Sequence, residues 1–188
     1  MCLALLESKD IPHPPLEVLI TTNEESGMDG AKGLDPNNIN GKILINIDSE
    51  EEGIALVSCA GGERDLVTIP VEWEPSEGLE AYYIKTVGLL GGHSGMEINK
   101  GRGNANRIIA RVLSHVKSQC HVKLARIEGG SKANAIPRNG LALVAIRKED
   151  EHIFFNAIKD MEQLIQNELK SSEPDFSIAV DKAQEKVE

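Results

Sequence analysis

The chain has 188 residues, of which 40% are hydrophobic, 27% charged and only 3% aromatic. These values are typical of a soluble globular protein whose core is built mainly from aliphatic side chains. The formal net charge of −10 argues against a nucleic-acid partner, because phosphate binding needs clustered lysine and arginine. No apolar run approaches the roughly 18 to 20 residues that span a bilayer, so we expect no membrane partner. The three cysteines are widely spaced and form neither a disulfide framework nor a metal motif, which favours a cytoplasmic location.

The first third of the chain contains apolar runs separated by polar and glycine-containing turns. Runs with so few polar residues are typical of strands that are buried on both faces of a parallel sheet. One or two helical turns are predicted at residues 28–34. The pattern therefore predicts α/β structure, an open sheet covered on both faces, with strands at residues 16–22, 42–47 and 54–59.

From residue 64 onward the pattern is that of antiparallel strands and amphipathic helices. Residues 65–73 alternate apolar and polar positions, which is the period of a half-buried strand. Asn104 is a candidate N-cap for a helix with an apolar face. Further elements are predicted as strands at 81–90, 121–128, 140–147 and 177–180 and a helix at 150–170. The order β-β-α-β-β-α-β predicts a two-layer α+β domain at residues 64–188, preceded by an α/β domain at residues 1–63.

Two acidic sites directly follow predicted strands. Glu24 and Glu25 come after the first apolar run, and Asp48 comes after the second. In open α/β sheets, ligands collect at the carboxyl ends of the strands, where a carboxylate can bind a divalent metal or act as a general base. Acidic residues in turns are more often simply solvated, and the residues alone leave both interpretations open.

Two loops of the second domain carry candidate binding residues. His93 is flanked by glycines in GGHSG, which indicates a tight turn or a loop and not a packed face. Its imidazole could donate to a substrate oxygen, bind a metal, or have no role. Asn134 lies in GGSKANAIP, and its amide could donate to a carbonyl or an oxyanion. A plain hairpin connection is the alternative interpretation of this segment.

Five segments taken together resemble one family. They occur in the order LEVLITTNEESGMDGAKGL, ILINIDSEEEG, CAGG, GLLGGHSGMEINKGRGNAN and GGSKANAIPRN, through nearly the whole chain. This combination is similar to the aminoacyl-histidine (Xaa-His) dipeptidases, which belong to the carnosinase type of di-zinc metallopeptidase. The resemblance implies a cytoplasmic enzyme that hydrolyses small peptides with two divalent metal ions, zinc before cobalt or manganese. It also implies that residues 64 onward form a lid, through which the protein forms a homodimer.

The resemblance further implies a separate role for each candidate residue. Glu24 would be the general base that takes a proton from the attacking water. Glu25 would bind one metal ion and Asp48 the other. His93 would reach the oxyanion from the lid, in its own subunit or across a dimer, and Asn134 would line the substrate site.

The metal site of this family also includes an upstream histidine, a bridging aspartate and a histidine near the C-terminus. The resemblance implies that these ligands lie outside residues 1–188, so we expect the isolated chain to be weakly active or inactive. The alternative function is a non-catalytic module for lid closure, dimerisation or substrate binding. Such a module would have no need of the Glu24–Glu25 pair.

Overall fold

The structure is a computed structural model that describes residues 1–48, 52–59, 61, 63 and 65–184. The chain forms two compact units, Met1–Val67 and Thr68–Glu188. Residues 49–51, which continue the acidic segment after Asp48, lie outside the described residues, as does residue 64 at the predicted domain boundary. Each unit is described by itself below.

The first unit contains two short helices, α1 (Cys2–Glu7) and α2 (Asp29–Lys32), and a 3-10 turn at Pro36–Asn38. The second helix confirms the helical turns predicted from the sequence. Glu17 joins two segments of this unit, because its carboxylate accepts hydrogen bonds from the side-chain amide of Asn40 at 2.8 Å and from the backbone N–H of Gly41 at 2.7 Å. These two bonds hold the pKa of Glu17 below its usual range.

The apolar runs of the first unit are not strands. Among its described residues, no hydrogen-bonded ladder joins the segments 16–22, 42–47 and 54–59. Their side chains are largely exposed, with Leu44 at 83% and Val57 at 97%. The strand prediction is wrong here because apolar composition indicates burial but does not supply the neighbouring backbone that completes a ladder.

The second unit is built on a four-stranded antiparallel sheet covered by two helices. Its elements in chain order are β1 (Glu80–Val87), β2 (Gly92–His93), α3 (Ala105–Gln119), β3 (Val122–Gly129), β4 (Ala135–Ile136), β5 (Gly140–Ile146), α4 (Glu151–Leu169) and β6 (Ser177–Lys182). The sheet has the order β3-β5-β1-β6, and β2 pairs with β4 in a separate two-stranded sheet. The predicted mixed α/β class, with an α+β lid-type domain, is confirmed.

The strand predicted at residues 65–73 does not form. Its alternating side chains are exposed, with Val71 at 65% and Trp73 at 72%. The sequence pattern suggested β1 as its partner, but β1 pairs with β5 on one side and with β6 on the other. Both hydrogen-bonding edges of β1 are therefore occupied, and the large sheet follows the order β-α-β-β-α-β.

The helices α3 and α4 pack on one face of the sheet. Asn104 caps α3 as predicted, because its side-chain oxygen accepts a hydrogen bond from the backbone N–H of Arg107 at 3.2 Å. The fully buried side chains of the core include Ile109, Val112 and Val116 from α3, Phe154 and Ile165 from α4, and Ile84, Val144 and Ile146 from the sheet. No helix in the described part of the chain is long and apolar enough to cross a membrane.

Three connecting segments meet at one end of the second unit. The ladders place Val87 opposite Ser177 and Gly129 opposite Gly140. The segments 88–104, 130–139 and 170–176 therefore leave the sheet and α4 at the same end. The first two of these carry His93 and Asn134.

Candidate functional site

The acidic pair Glu24–Glu25 lies in a tight turn. The carbonyl oxygen of Asn23 accepts hydrogen bonds from the backbone N–H of Gly27 at 3.2 Å and of Met28 at 2.8 Å. Asn23 and Met28 both have positive φ, at 61° and 60°, so the chain reverses between them. Both glutamates are exposed on this closed turn.

Close backbone contact holds the same turn to α2. The N–H of Gly30 donates to the carbonyl oxygen of Thr22 at 3.1 Å. A Cβ at position 30 would lie 2.5 Å from the backbone nitrogen of Thr22, so only glycine fits there. The side-chain amide of Asn23 also donates to the carboxylate of Asp29. The sequence NEESGMDGA thus specifies a defined turn and not merely an acidic surface.

The predicted metal ligands do not form a metal site by themselves. Asp48 is exposed, and its backbone N–H donates to Oδ1 of Asn46 at 2.9 Å. Across the residues that the structure describes, no three histidine, cysteine, aspartate or glutamate side chains come together as a metal-binding group. A catalytic zinc has about three protein ligands. Glu25 and Asp48 therefore do not fit a complete two-metal centre without further ligands.

The structure brings His93 and Asn134 together. In the two-stranded sheet, His93 pairs with Ala135 and Gly92 pairs with Ile136. The backbone N–H of Ser94 also donates to the carbonyl oxygen of Asn134 at 3.0 Å. The two predicted site loops are thus joined by backbone hydrogen bonds directly beside both residues.

The imidazole of His93 is fixed by its own loop. Its Nδ1 lies 3.1 Å from the backbone nitrogen of Gly95 and 3.2 Å from that of Met96, and it accepts from both N–H groups. A ring nitrogen that accepts hydrogen bonds carries no proton, so the neutral ring has its proton on Nε2. The exposed ring of His93 therefore presents a hydrogen-bond donor to its surroundings.

Glu97 fixes the backbone of the same loop. Its carboxylate accepts from the backbone N–H of His93 at 2.9 Å and forms an ion pair with Lys100 at 2.9 Å. The pKa of Glu97 is lowered, first by the Lys100 hydrogen bond and then by the His93 N–H. Gly92 has φ +150°, and a Cβ there would lie 2.5 Å from the carboxylate oxygen of Glu97. Glycine at position 92 is therefore required for this contact.

A cavity of about 650 Å³ opens beside the paired loops. The neighbours of Asn134 in the chain, Ala133 and Ala135, line it together with Ser94. Its charged lining is basic and consists of Arg102, Arg107 and Lys132. The cavity therefore favours an anionic or strongly polar ligand.

Sequence reasoning missed Glu173. This residue is 2% exposed, and its carboxylate accepts from the backbone N–H of Leu90 at 2.7 Å and of Gly103 at 2.8 Å. A glutamate near the end of a charged helix is normally a surface residue. Its partners are 83 and 70 positions away, so no local pattern could have identified its role.

Three matches to known proteins bear on the function of this chain. Residues 84–173 match the family model described as the peptidase dimerisation domain. The chain is 38% identical over 180 residues to the cytosol non-specific dipeptidase of Escherichia coli (strain K12), which covers 95% of this chain and 37% of that protein. It also matches the crystal structure of aminoacylhistidine dipeptidase from Vibrio alginolyticus with a TM-score of 0.73 and 36% identity, over 98% of this chain and 38% of the other.

Both likenesses run through nearly the whole chain, which spans less than two fifths of either relative. Both relatives are named as dipeptidases. The family model covers β1 only in part but all of β3, β5, α3 and α4. The resemblance to the aminoacyl-histidine dipeptidases is thereby confirmed, with residues 84–173 matching the dimerisation domain of peptidases.

Proposed function

We propose that the protein acts as a metallo-dipeptidase that hydrolyses Xaa-His dipeptides in the cytoplasm. The observation that carries this proposal is the 38% identity to a cytosol non-specific dipeptidase over 95% of the chain. The matched region extends over both units, so it spans the acidic turn as well as the His93 loop. The chain would supply part of the active site and part of the lid.

In this proposal Glu24 is the general base and His93 stabilises the oxyanion. Hydrolysis needs a base that takes a proton from the attacking water and a donor to the carbonyl oxygen as negative charge develops there. The closed turn at Asn23 presents the exposed Glu24 carboxylate. The bonds at Nδ1 leave Nε2–H of His93 as a donor, which is the form that an oxyanion requires.

Asn134 and the basic cavity beside it would bind the substrate. Every dipeptide carries a free carboxylate, and its peptide carbonyl can accept from a side-chain amide. The cavity offers the positive charges of Arg107 and Lys132 next to the loop of Asn134. This lining supports a ligand with a free carboxylate, such as a dipeptide.

Glu25 and Asp48 would each bind one divalent metal ion, zinc in the first place and cobalt or manganese as alternatives. Carboxylate oxygens are suitable ligands for all three ions. Because no three such side chains come together among the described residues, each metal ion would need further ligands.

A chimera tests the catalytic proposal. The 180 matched residues of the Escherichia coli relative are replaced by this chain, and histidine release from a Xaa-His dipeptide is followed with zinc, cobalt or manganese. We expect activity that Glu24→Gln reduces at least about a hundredfold, within the range for loss of a general base. Glu7→Gln, which changes an exposed glutamate of α1, is the matched control. An active chimera that is indifferent to Glu24→Gln would favour the non-catalytic alternative.

The isolated chain provides a second test. Incubated with the same metals and dipeptide, it is expected to release little or no histidine, because its described residues do not assemble a metal group. Turnover that Glu24→Gln abolishes would contradict that expectation. Together, the two assays show whether the chain contributes catalytic residues and whether it is active by itself.

A second proposed function is homodimerisation through the second unit, favoured by the match of residues 84–173 to a peptidase dimerisation domain. The outer strand β3 carries two large apolar side chains that are half exposed, Leu124 at 48% and Ile127 at 50%. Sheet edges of this kind readily pair with a second chain.

Sedimentation velocity of the full chain over a range of concentrations tests the dimer. Leu124→Lys should shift the chain towards the monomer. Leu164→Lys is the control, because Leu164 is equally exposed at 48% but lies on α4. Equal behaviour of the two variants would exclude β3 as the contact surface.

A further inference from the structure

One buried carboxylate lies at the base of the His93 loop. Glu173 follows α4 and is 2% exposed. Its two oxygens are used separately, Oε2 by the N–H of Leu90 at 2.7 Å and Oε1 by the N–H of Gly103 at 2.8 Å. These two N–H groups stand at the beginning and the end of the loop that carries His93. The same side chain therefore closes both ends of that loop.

The backbone of Glu173 is itself held in place. Its N–H donates to the carbonyl oxygen of Leu169 in the last turn of α4 at 2.8 Å, and its carbonyl accepts from the N–H of Phe176 at 3.2 Å. The preceding residue, Ser172, accepts a hydrogen bond from Nη1 of Arg102 at 3.0 Å. The carboxylate is thus anchored to a long helix, which fixes where the two loop ends can lie.

The packing around Gly103 is tight. A Cβ at position 103 would lie 2.6 Å from Cδ2 of Leu89, 3.2 Å from Cδ1 of Leu169 and 3.4 Å from Cγ of Glu173, so a larger residue would displace these side chains. Glycine at this position lets the backbone approach the carboxylate without such a displacement. A buried charge is costly unless it is hydrogen-bonded, and two charge-assisted bonds to backbone N–H groups offset that cost.

Between the two anchored ends, the hydrogen bonds continue to the imidazole. Glu97 accepts from the backbone N–H of His93, and Nδ1 of His93 accepts from Gly95 and Met96. Every one of these bonds joins residues of the same loop. The pairing of β2 with β4 joins this loop to the Asn134 loop. The ends of the loop are held by Glu173, so the position of the ring relative to the sheet depends on both supports.

We infer that Glu173 is a positioning residue for His93, acting as a two-ended clamp that fixes the loop from Leu90 to Gly103. This inference rests on the proposed function, in which Nε2 of His93 donates to the substrate oxygen. A glutamine at position 173 offers only one acceptor oxygen, because its other terminal atom is an amide donor. One of the two N–H groups would then lose its partner, and one end of the loop would be released.

The test uses the full chain and needs no substrate. In Glu173→Gln, amide exchange at Leu90 or Gly103 should be roughly ten- to a hundredfold faster than in the wild type, as expected for one buried donor left unsatisfied. The nitrogen shifts of the His93 ring should move towards a mixture of tautomers, a change that simple loss of global stability does not produce. Glu168→Gln on α4, which loses only the exposed ion pair with Arg111, should leave both readouts unchanged.

Unchanged His93 signals in Glu173→Gln would overturn the inference, and so would equal acceleration of exchange throughout the chain. If the variant does not fold, native-state exchange on the wild type replaces it. The amides of Leu90, Gly95, Met96 and Gly103 should then open together as one unit, and independent opening would refute the clamp. The proposed function fails separately, if His93→Gln leaves the chimera fully active.

Discussion

The side-chain oxygen of Thr86 accepts a hydrogen bond from the backbone N–H of Gly140 at 2.8 Å. The last backbone pair between β1 and β5 is Lys85 with Leu141. The Thr86 hydroxyl therefore provides a hydrogen bond to the β5 backbone just beyond the end of the ladder. The same hydroxyl donates to the carbonyl oxygen of Arg138 at 3.4 Å. A buried side chain thus fixes the end of the loop that carries Asn134.

Replacing Thr86 with valine should destabilise the second unit. Valine keeps the shape but leaves the buried N–H of Gly140 without an acceptor, which costs about 1–3 kcal/mol. Thr86→Ser retains the hydroxyl and should cost less. The midpoint of urea unfolding measures both variants. A valine variant as stable as the serine variant would show that this bond contributes nothing.

Gly88 and Gly78 allow backbone strain to be separated from steric overlap. Both have positive φ, at 78° and 76°, but a Cβ at position 88 would lie 2.0 Å from the carbonyl oxygen of Asp175, whereas nothing lies within 4 Å of one at position 78. Gly78→Ala should cost roughly 1–2 kcal/mol from the left-handed backbone alone. Gly88→Ala should cost about 1–3 kcal/mol more, since the backbone at Asp175 must move. Equal losses of unfolding free energy would contradict the predicted overlap.

Ionisation of Tyr82 should lower the free energy of unfolding of the second unit at alkaline pH. Burial in the first place, and then its hydrogen bond to Glu151, raise the pKa of Tyr82 to about 12. The unfolded phenol ionises near pH 10. Because the folded pKa is the higher one, the stabilising contribution is fully present below about pH 10 and is lost as the pH rises through about 12.

Tyrosinate absorbance during an alkaline titration measures this ionisation. The chain has two tyrosines. The step near pH 12 should be absent from Tyr82→Phe and retained in Tyr83→Phe. If the step follows Tyr83 instead, the assignment to the buried phenol is incorrect.

Gly92→Ala should break the hydrogen bond between the Glu97 carboxylate and the backbone N–H of His93. The new Cβ would lie 2.5 Å from the Glu97 carboxylate, so the bond to the His93 N–H should break while the Lys100 ion pair can remain. The pKa of Glu97 should therefore rise towards its usual value, as measured by carboxyl carbon shifts. Gly101→Ala, also at positive φ but with nothing within 4 Å, should leave that pKa unchanged.

The strands of the second unit could be predicted because the segments with strand-like sequence patterns pair with one another. The apolar runs at β1 and β5, for example, belong to strands that are hydrogen-bonded to each other. The run at 65–73 alternates just as clearly, but its predicted partner β1 already has two neighbours, so alternation alone did not identify a strand. The apolar runs of the first unit also have no strand partner among the described residues.

The residues of the candidate site also differ in whether the sequence could identify them. His93 and Asn134 could be identified from local motifs, and the pairing of β2 with β4 joins their loops. Glu173 could not, because its partners Leu90 and Gly103 are brought to it only by the packing of α4. The two predicted site residues lie in recognisable local motifs, whereas a side chain that holds a loop in place is recognised only in three dimensions.

The neighbouring positions of β1 and β6 have a consequence for protein engineering. These are the first and last strands of the second unit, they lie side by side, and Lys182 forms an ion pair with Glu80 at 2.6 Å. Residues 80 and 182 therefore lie side by side, at the end of the sheet opposite the loops of His93 and Asn134. The segment 80–182 can be exchanged as a cassette, because its two junctions adjoin and the loops of His93 and Asn134 are carried along intact.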